Sequence, residues 1–276
     1  MTDVTINSAS EPSTRETVVD QIVSAVGEHT LDTVPPTSTP NIQPAIPISP
    51  SSPADDDFIP SCITQAPIPK ALSNAKNKDL GAIMLGLAHE CPRWMPGSVL
   101  KWVVMKEGFK TPADADYAAQ HLNMACLKWN ELNVGVTFEW VSNVVDATFA
   151  LFHGGSHGNT LASAFFPNPN DISMMLVYNA AFSIPRWKAN MWKMFMHELG
   201  HVLGLRHEFA MDTATGEKRE MFAAVQLGPP NDRSVMTYGR EPPEVQESDV
   251  ESTRKFYALE DGAMMGLTPV QDYSPM

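Results

Sequence analysis

The chain has 276 residues, 43% of them hydrophobic and 18% charged, with a formal net charge of −13. That length holds one catalytic-sized domain plus an extension, and the acidity disfavours nucleic acid or an anionic membrane surface as partner. No apolar run is long enough to span a bilayer, and no basic stretch followed by an apolar one marks a signal peptide. Cys62, Cys91 and Cys126 are too few for a disulfide scaffold, though they permit one bridge.

Residues 1–60 are rich in Pro, Ser and Thr. Their prolines fit neither a helix interior nor a central strand, and little apolar surface is present to offset ordering entropy. They read as a disordered tail carrying one short helix around Glu16–Val26. Residues 61–91 form a transition segment and candidate prosegment, with a short helix near Asp79–His89. From Pro112 to Leu132, Ala115, Ala118, Ala119, Leu122, Ala125, Cys126 and Trp129 make the apolar stripe of an amphipathic helix. Val136–Val141, Ala147–Phe152 and Ile172–Tyr178 read as strands, rich in β-branched and aromatic residues. A helix follows Pro185, from about Ala189 to Leu203, with Met191, Phe195, Leu199 and Val202 or Leu203 facing the core. Ser248 to about Leu259 reads as a closing helix, Ser248 as its N-cap and Glu251 at the capping-box position. Residues 261–276 are a C-terminal tail.

Chemistry concentrates in His197-Glu198-Leu199-Gly200-His201-Val202-Leu203-Gly204-Leu205-Arg206-His207-Glu208. Histidines at i and i+4 project from one helix face, so both imidazoles reach a single ion. Glu198, offset by one residue, lies beside that ion without ligating it, placed to take a proton from a zinc-activated water. Gly204 enters a left-handed conformation cheaply and ends the helix, so that the chain doubles back and delivers His207 as a third ligand. Three protein ligands leave the fourth position of one Zn2+ for water, the mark of a catalytic zinc.

The extended pattern H-E-x-x-H-x-x-G-x-x-H resembles that of the metzincin metallopeptidases. Ser234-Val235-Met236-Thr237-Tyr238-Gly239-Arg240 resembles their Met-turn, in wording closest to astacin-like enzymes, as does Glu208 after the third histidine. The resemblance implies that Met236 lies beneath the zinc ligands. It makes Tyr238 a weak metal ligand or a transition-state hydrogen-bond donor. Arg93–Trp102 is similar to the opening of metzincin catalytic domains, where a Trp-Pro-Gly turn leads into the first strand. Leu161–Pro167 resembles the rim strand of matrix-metalloprotease-like members, an edge that pairs with an extended substrate. The implied fold is α+β, a zincin catalytic domain over residues 92–260, with a mixed twisted sheet, an active-site helix and a C-terminal helix. The implied activity is zinc-dependent endopeptidase on protein or peptide substrates, with the protein a monomer. A zinc-binding module that no longer cleaves, or a zinc hydrolase of non-peptide amides, are the alternatives.

The chain departs from these families in several places. Ser163 stands where a rim-strand histidine would hold a second, structural zinc, and Thr237 replaces a common histidine. His153 and His157 share a Gly-rich loop, read as solvated before metal-binding. Asp55, Asp56, Asp57, Cys62 and Cys91 are candidates by type for capping the zinc, but none lies in a recognised switch motif. In astacins the glutamate at the position of Glu208 meets the trimmed N-terminus; here its partner is open. His29, His89 and His121 fit no metal spacing and read as ordinary polar residues. The compartment is left open.

Overall fold

The computed structural model describes residues 15–28, 30, 90–208, 210, 225, 227–228, 231–237 and 241–276. At its centre lies Val99–Val104 (β2, following β1 at Cys91–Trp94), whose alternating side chains are buried on both faces. Trp102 and Val104 point into one apolar cluster, Val103 and Met105 into another. A strand covered on both sides is the setting for parallel pairing. β2 indeed pairs parallel with Thr137–Trp140 (β3) and with Phe149–His153 (β4). β4 pairs parallel with Ser173–Val177 (β6), and the short Ala162–Ser163 (β5) closes the edge antiparallel to β6. The sheet order is β3-β2-β4-β6-β5.

Helix α2, Pro112–Leu132, is the crossover between β2 and β3, with α1 at Arg15–Val26. Thr111 caps α2, its hydroxyl accepting from the Asp114 amide, and Asn133 ends it in a left-handed conformation. Its predicted stripe is buried residue for residue. After two short helices, Asn179–Ser183 (α3) and Pro185–Ala189 (α4), comes Met191–Val202 (α5), packed against α2 on the same face of the sheet. The helix expected from Ala189 thus begins two residues later. Pro185 starts a helix of its own, and the chain breaks at Asn190.

The closing helix α6 runs from Glu247 to Tyr257. Its N-cap is Gln246, not Ser248, because Asp249 at the third helical position reaches back to the Gln246 amide (2.8 Å). Ser248 instead accepts from Asn231 Nδ2, and Glu251 lies one turn further on. Residues expected as a tail also carry structure. Met264–Met265 (β7) and Thr268–Tyr273 (β8) form a hairpin, and β8 pairs parallel with β1. Buried Arg93 locks this junction, its guanidinium ion-paired to Asp272 (2.6 Å) and donating to the carbonyls of Phe256 and Leu259.

Within the Pro/Ser/Thr-rich stretch the expected short helix is present as α1, and it is docked. Val19, Ile22 and Val23 pack on Val103, Met105, Ala150, Phe152 and Ile172, the sheet face opposite α2 and α5. Arg15 donates to the carbonyls of Val145 (2.6 Å), Asp171 (2.5 Å) and Ala147, and Thr30 bridges to Met105. The helix expected near Asp79–His89 lies outside the described residues, as do Cys62, Asp55, Asp56, Asp57, His29 and His89. Cys91 and Cys126 are free thiols.

Because hydrogen bonds from a charged donor contribute about 1.5–3 kcal/mol each, Arg15→Ala is expected to lower unfolding free energy by roughly 2 kcal/mol, read from the shift of the denaturant midpoint.

Candidate metal centre

Helix α5 is buried on almost every side, so its polar residues are placed by necessity inside the protein. His197, Glu198 and His201 are 6%, 2% and 0% exposed. Its C-terminus is a complete Schellman turn. Gly204, at φ +93°, donates from its amide to His201 O (2.8 Å), and Leu205 donates to Gly200 O (2.9 Å). A Cβ at Gly204 would also collide with the Pro92 carbonyl on β1, so glycine is required twice over. Two remaining helix carbonyls are capped by side chains, Val202 O by the Trp94 indole (2.8 Å) and Leu203 O by the Tyr257 hydroxyl (3.1 Å).

The turn carries His207 back to the two helical histidines. Its Nε2 lies 3.2 Å from His197 Nε2 and 3.1 Å from His201 Nε2. Three nitrogens on a tetrahedral zinc, each about 2.05 Å from the metal, stand about 3.3 Å apart. The second nitrogens set the tautomers. His197 Nδ1 donates to Val235 O (2.7 Å) and His201 Nδ1 to Leu205 O (2.8 Å), which leaves both Nε2 atoms as acceptors. His207 Nε2 can donate to only one of them. Lone pairs brought face to face in a buried site need a cation between them, so this donor set fits zinc. Burial, with the His197 and Arg206 charges adding to it, drives the His207 pKa down to about 2 and holds it in its neutral, ligand-ready form. Among the described residues this is the one group of three or more His, Cys, Asp or Glu side chains close enough to hold an ion.

The turn at Ser234–Thr237 reaches the same helix from the other side. Met236 is buried against α5, and its Sδ occupies the space where a Cβ on Gly200 would stand. Asp249 of α6, a residue the sequence reading did not single out, organises the turn. It accepts from Ser234 Oγ (2.6 Å) and from the Val235 amide (2.8 Å), and the other side of that residue, Val235 O, holds His197. Glu208, whose partner was open, accepts from the Asn231 amide (2.7 Å), while its own amide donates to Met236 O (3.0 Å). It ties the loop after His207 to the turn at Ser234–Thr237, and burial raises its pKa.

Tyr238 lies outside the described residues. The rim stretch Leu161–Pro167 is paired only at Ala162–Ser163. Phe166 stands edge-on to the His201 ring (5.6 Å), and the Arg206 guanidinium lies over Phe166 (5.6 Å). Ser163 shares a hydrogen bond with Tyr178 (3.2 Å). His157 bonds Thr160 (3.0 Å) and packs at a tilt against Tyr178, while His153 packs between Phe109 and Phe182. The two loop histidines thus have separate partners.

The Reprolysin_5 model of metallo-peptidase family M12 matches residues 108–248, just over half of the chain. The chain belongs to metallo-peptidase family M12. It is similar to a solved structure of high choriolytic enzyme 1, a hatching enzyme zinc-protease from Oryzias latipes (Medaka fish). That likeness has 14% identity and a TM-score of 0.39, and covers 59% of this chain and 90% of the other. No curated protein matches. As an M12 family member the chain is a metalloprotease with a mixed α/β zincin fold, acting on peptide substrates, and its buried three-histidine cluster is compatible with the zinc of such an enzyme. No helix among the described residues is long and apolar enough to cross a membrane.

Filling the space of the Met236 sulfur must shift either α5 or the Met-turn. Gly200→Ala is therefore expected to lower stability by about 1–3 kcal/mol and to weaken zinc retention in a chelator competition.

Proposed function

We propose that this M12 member is a zinc-dependent endopeptidase of astacin-like type, with His197, His201 and His207 as ligands of one Zn2+, Glu198 as general base and Tyr238 as oxyanion donor. The observation that carries the reading is the convergence of three buried imidazoles, with His207 Nε2 3.2 Å and 3.1 Å from the Nε2 atoms of His197 and His201 and the buried Glu198 one residue from the first. The catalytic unit in this reading is residues 92–260.

Zinc, when bound, polarises the scissile carbonyl and brings the pKa of water to about 7. Glu198 has the remaining work of moving a proton. It cannot be a fourth ligand, because its neighbours at i−1 and i+3 are ligands and its carboxylate leaves the helix on an adjacent line. From there it accepts the proton of the attacking water and returns it to the leaving amine. Edge strand β5, whose one partner among the described residues is β6, supports an extended substrate lying along the cleft, held by main-chain hydrogen bonds. Tyr238, two residues after Met236 in sequence, is assigned to the tetrahedral intermediate's oxygen on the resemblance of its motif alone. One such donor contributes about 3 kcal/mol. Met236 supports the ligands from below and has no chemical role.

Glu198→Ala is expected to retain zinc by elemental analysis and lose nearly all turnover of a denatured protein substrate. An active Glu198→Ala protein removes the proposed base, and a wild-type protein that holds zinc yet cleaves nothing is a binding module instead. For Tyr238→Phe, steady-state kinetics should show kcat falling by roughly a hundredfold, with KM changed far less; an unchanged kcat reduces Tyr238 to a packing residue.

A further inference from the structure

Helix α5 begins without a cap of its own. Asn190 occupies the N-cap position, but its side chain makes no capping bond and donates instead to Arg186 O (2.9 Å). Of the first amides of the helix, Lys193 and Met194 turn to Asn190 O. The Trp192 amide donates across to another helix, to His121 Nδ1 on α2 (3.1 Å). Helix α2 makes a second directional bond to the same helix, from the Trp129 indole to Met196 O (3.1 Å), immediately before His197. The rest of the α2–α5 contact is apolar. Interdigitated side chains set the register of α5 against α2, and the bonds at Trp192 and Met196 add two directional constraints to it.

We propose that His121 is a positioning residue of the active centre: by capping α5 from α2 it helps set the height at which His197 and Glu198 enter the site. This rests on the metalloprotease reading above. To accept from an amide, Nδ1 must be unprotonated. Protonation would turn the acceptor into a donor facing another donor, at the positive end of the helix. Burial opposes it, and the groups around the ring are aromatic faces and two ammonium groups, of which Lys193 is paired with Glu244. The Tyr117 ring of α2 packs at a tilt against His121 (4.3 Å), its hydroxyl committed to Lys188 O. From α4 the Lys188 ammonium lies over the Tyr117 ring (5.3 Å), and from α5 the Lys193 ammonium lies over Trp192 (5.6 Å). Burial lowers the His121 pKa from 6.5 to about 4. An unfolded chain takes up this proton as pH falls through 6.5, whereas the folded one resists until about 4. Stability linked to His121 is thus complete above pH 6.5 and is lost between 6.5 and 4.

The experiment uses the full chain with two substitutions. His121→Asn keeps an acceptor oxygen near the Nδ1 position and does not titrate; His121→Leu keeps bulk and loses the acceptor. Zinc affinity by chelator competition, thermal unfolding of the chelated protein between pH 4 and 7, and kcat and KM on a denatured protein are measured for both. His121→Leu is expected to weaken zinc binding by roughly tenfold or more, as loss of supporting contacts around a metal does, and to lower kcat comparably with KM within about twofold. His121→Asn should stay within about threefold of wild type in each, and its stability should fall less steeply from pH 6.5 to 4. A folded Leu variant with wild-type zinc affinity and kcat overturns the proposal, and so do Asn and Leu variants impaired equally, which would assign the effect to packing of the ring. If no variant nor wild type hydrolyses peptide, but zinc affinity separates Leu from Asn, the positioning role stands and the peptidase reading falls.

Discussion

The reversal of the chain at Gly204 is the constraint on which the centre depends. A rigid helix can offer two ligands on one face, but a third on the same ion must come from outside its axis. Only a left-handed residue immediately after the helix turns the backbone sharply enough for His207 to arrive three residues later. The same turn places the Leu205 carbonyl under His201 Nδ1, so one backbone conformation brings in His207 and orients His201, both ligands in the proposed reading. The Pro92 carbonyl fills the space a side chain at position 204 would need. β1 is thus packed against the turn itself, and β1 is in turn fixed by β8 and by the buried Arg93–Asp272 pair.

The second support for the ligands comes from far along the chain. His197 is oriented by Val235 O, and the Val235 amide is held by a carboxylate on α6. One carboxylate serves three donors there: the Ser234 hydroxyl, the Val235 amide and the helix's own Gln246 amide. Capping α6 and shaping the Met-turn are therefore the same interaction. Glu208 closes a further link by joining the ligand loop to Asn231. The imidazoles of His197 and His201 are thus constrained by backbone groups, whose positions change less than those of long side chains. This is what a site needs that must hold an ion at short, directional distances.

The local parts of this design were legible in the sequence, and the non-local parts were not. The stripe Ala115 to Trp129 and the ligand spacing are short-range patterns, so the bounds of α2 and the meeting of His197, His201 and His207 could be read directly. Met236 was marked by the wording of its turn. The choice of Gln246 over Ser248 as cap was hidden because both Glu251 and Asp249 suit a capping box, and the tie is broken by Asp249's bonds to Ser234 and Val235. β7 and β8 were missed because Gly262, Gly266 and Pro269 make the stretch look like a loop, and its partner β1 lies about 180 residues earlier. His121 looked ordinary for a similar reason: its meaning depends on an uncapped amide on a different helix. A capping histidine leaves a trace only in what the capped helix lacks, here a capping side chain at Asn190.

Burial of β2 and β4 on both faces decides the status of the N-terminal helix. Val103, Met105, Ala150 and Phe152 alternate with Trp102, Val104, Phe149 and Leu151, so one set must face away from α2 and α5. Without α1 that second set would meet water across a contiguous apolar surface, a costly exposure for a sheet of largely parallel strands. Arg15 adds a polar lock at three carbonyls that flank the 3-10 turn at Val144–Asp146 and the approach to β6. A segment that reads as low-complexity tail by composition thus contributes one wall of the domain. Glu208, meanwhile, already has an amide partner inside the fold. The N-terminal helix thus serves as structure on the sheet face opposite the helix that carries His197 and His201.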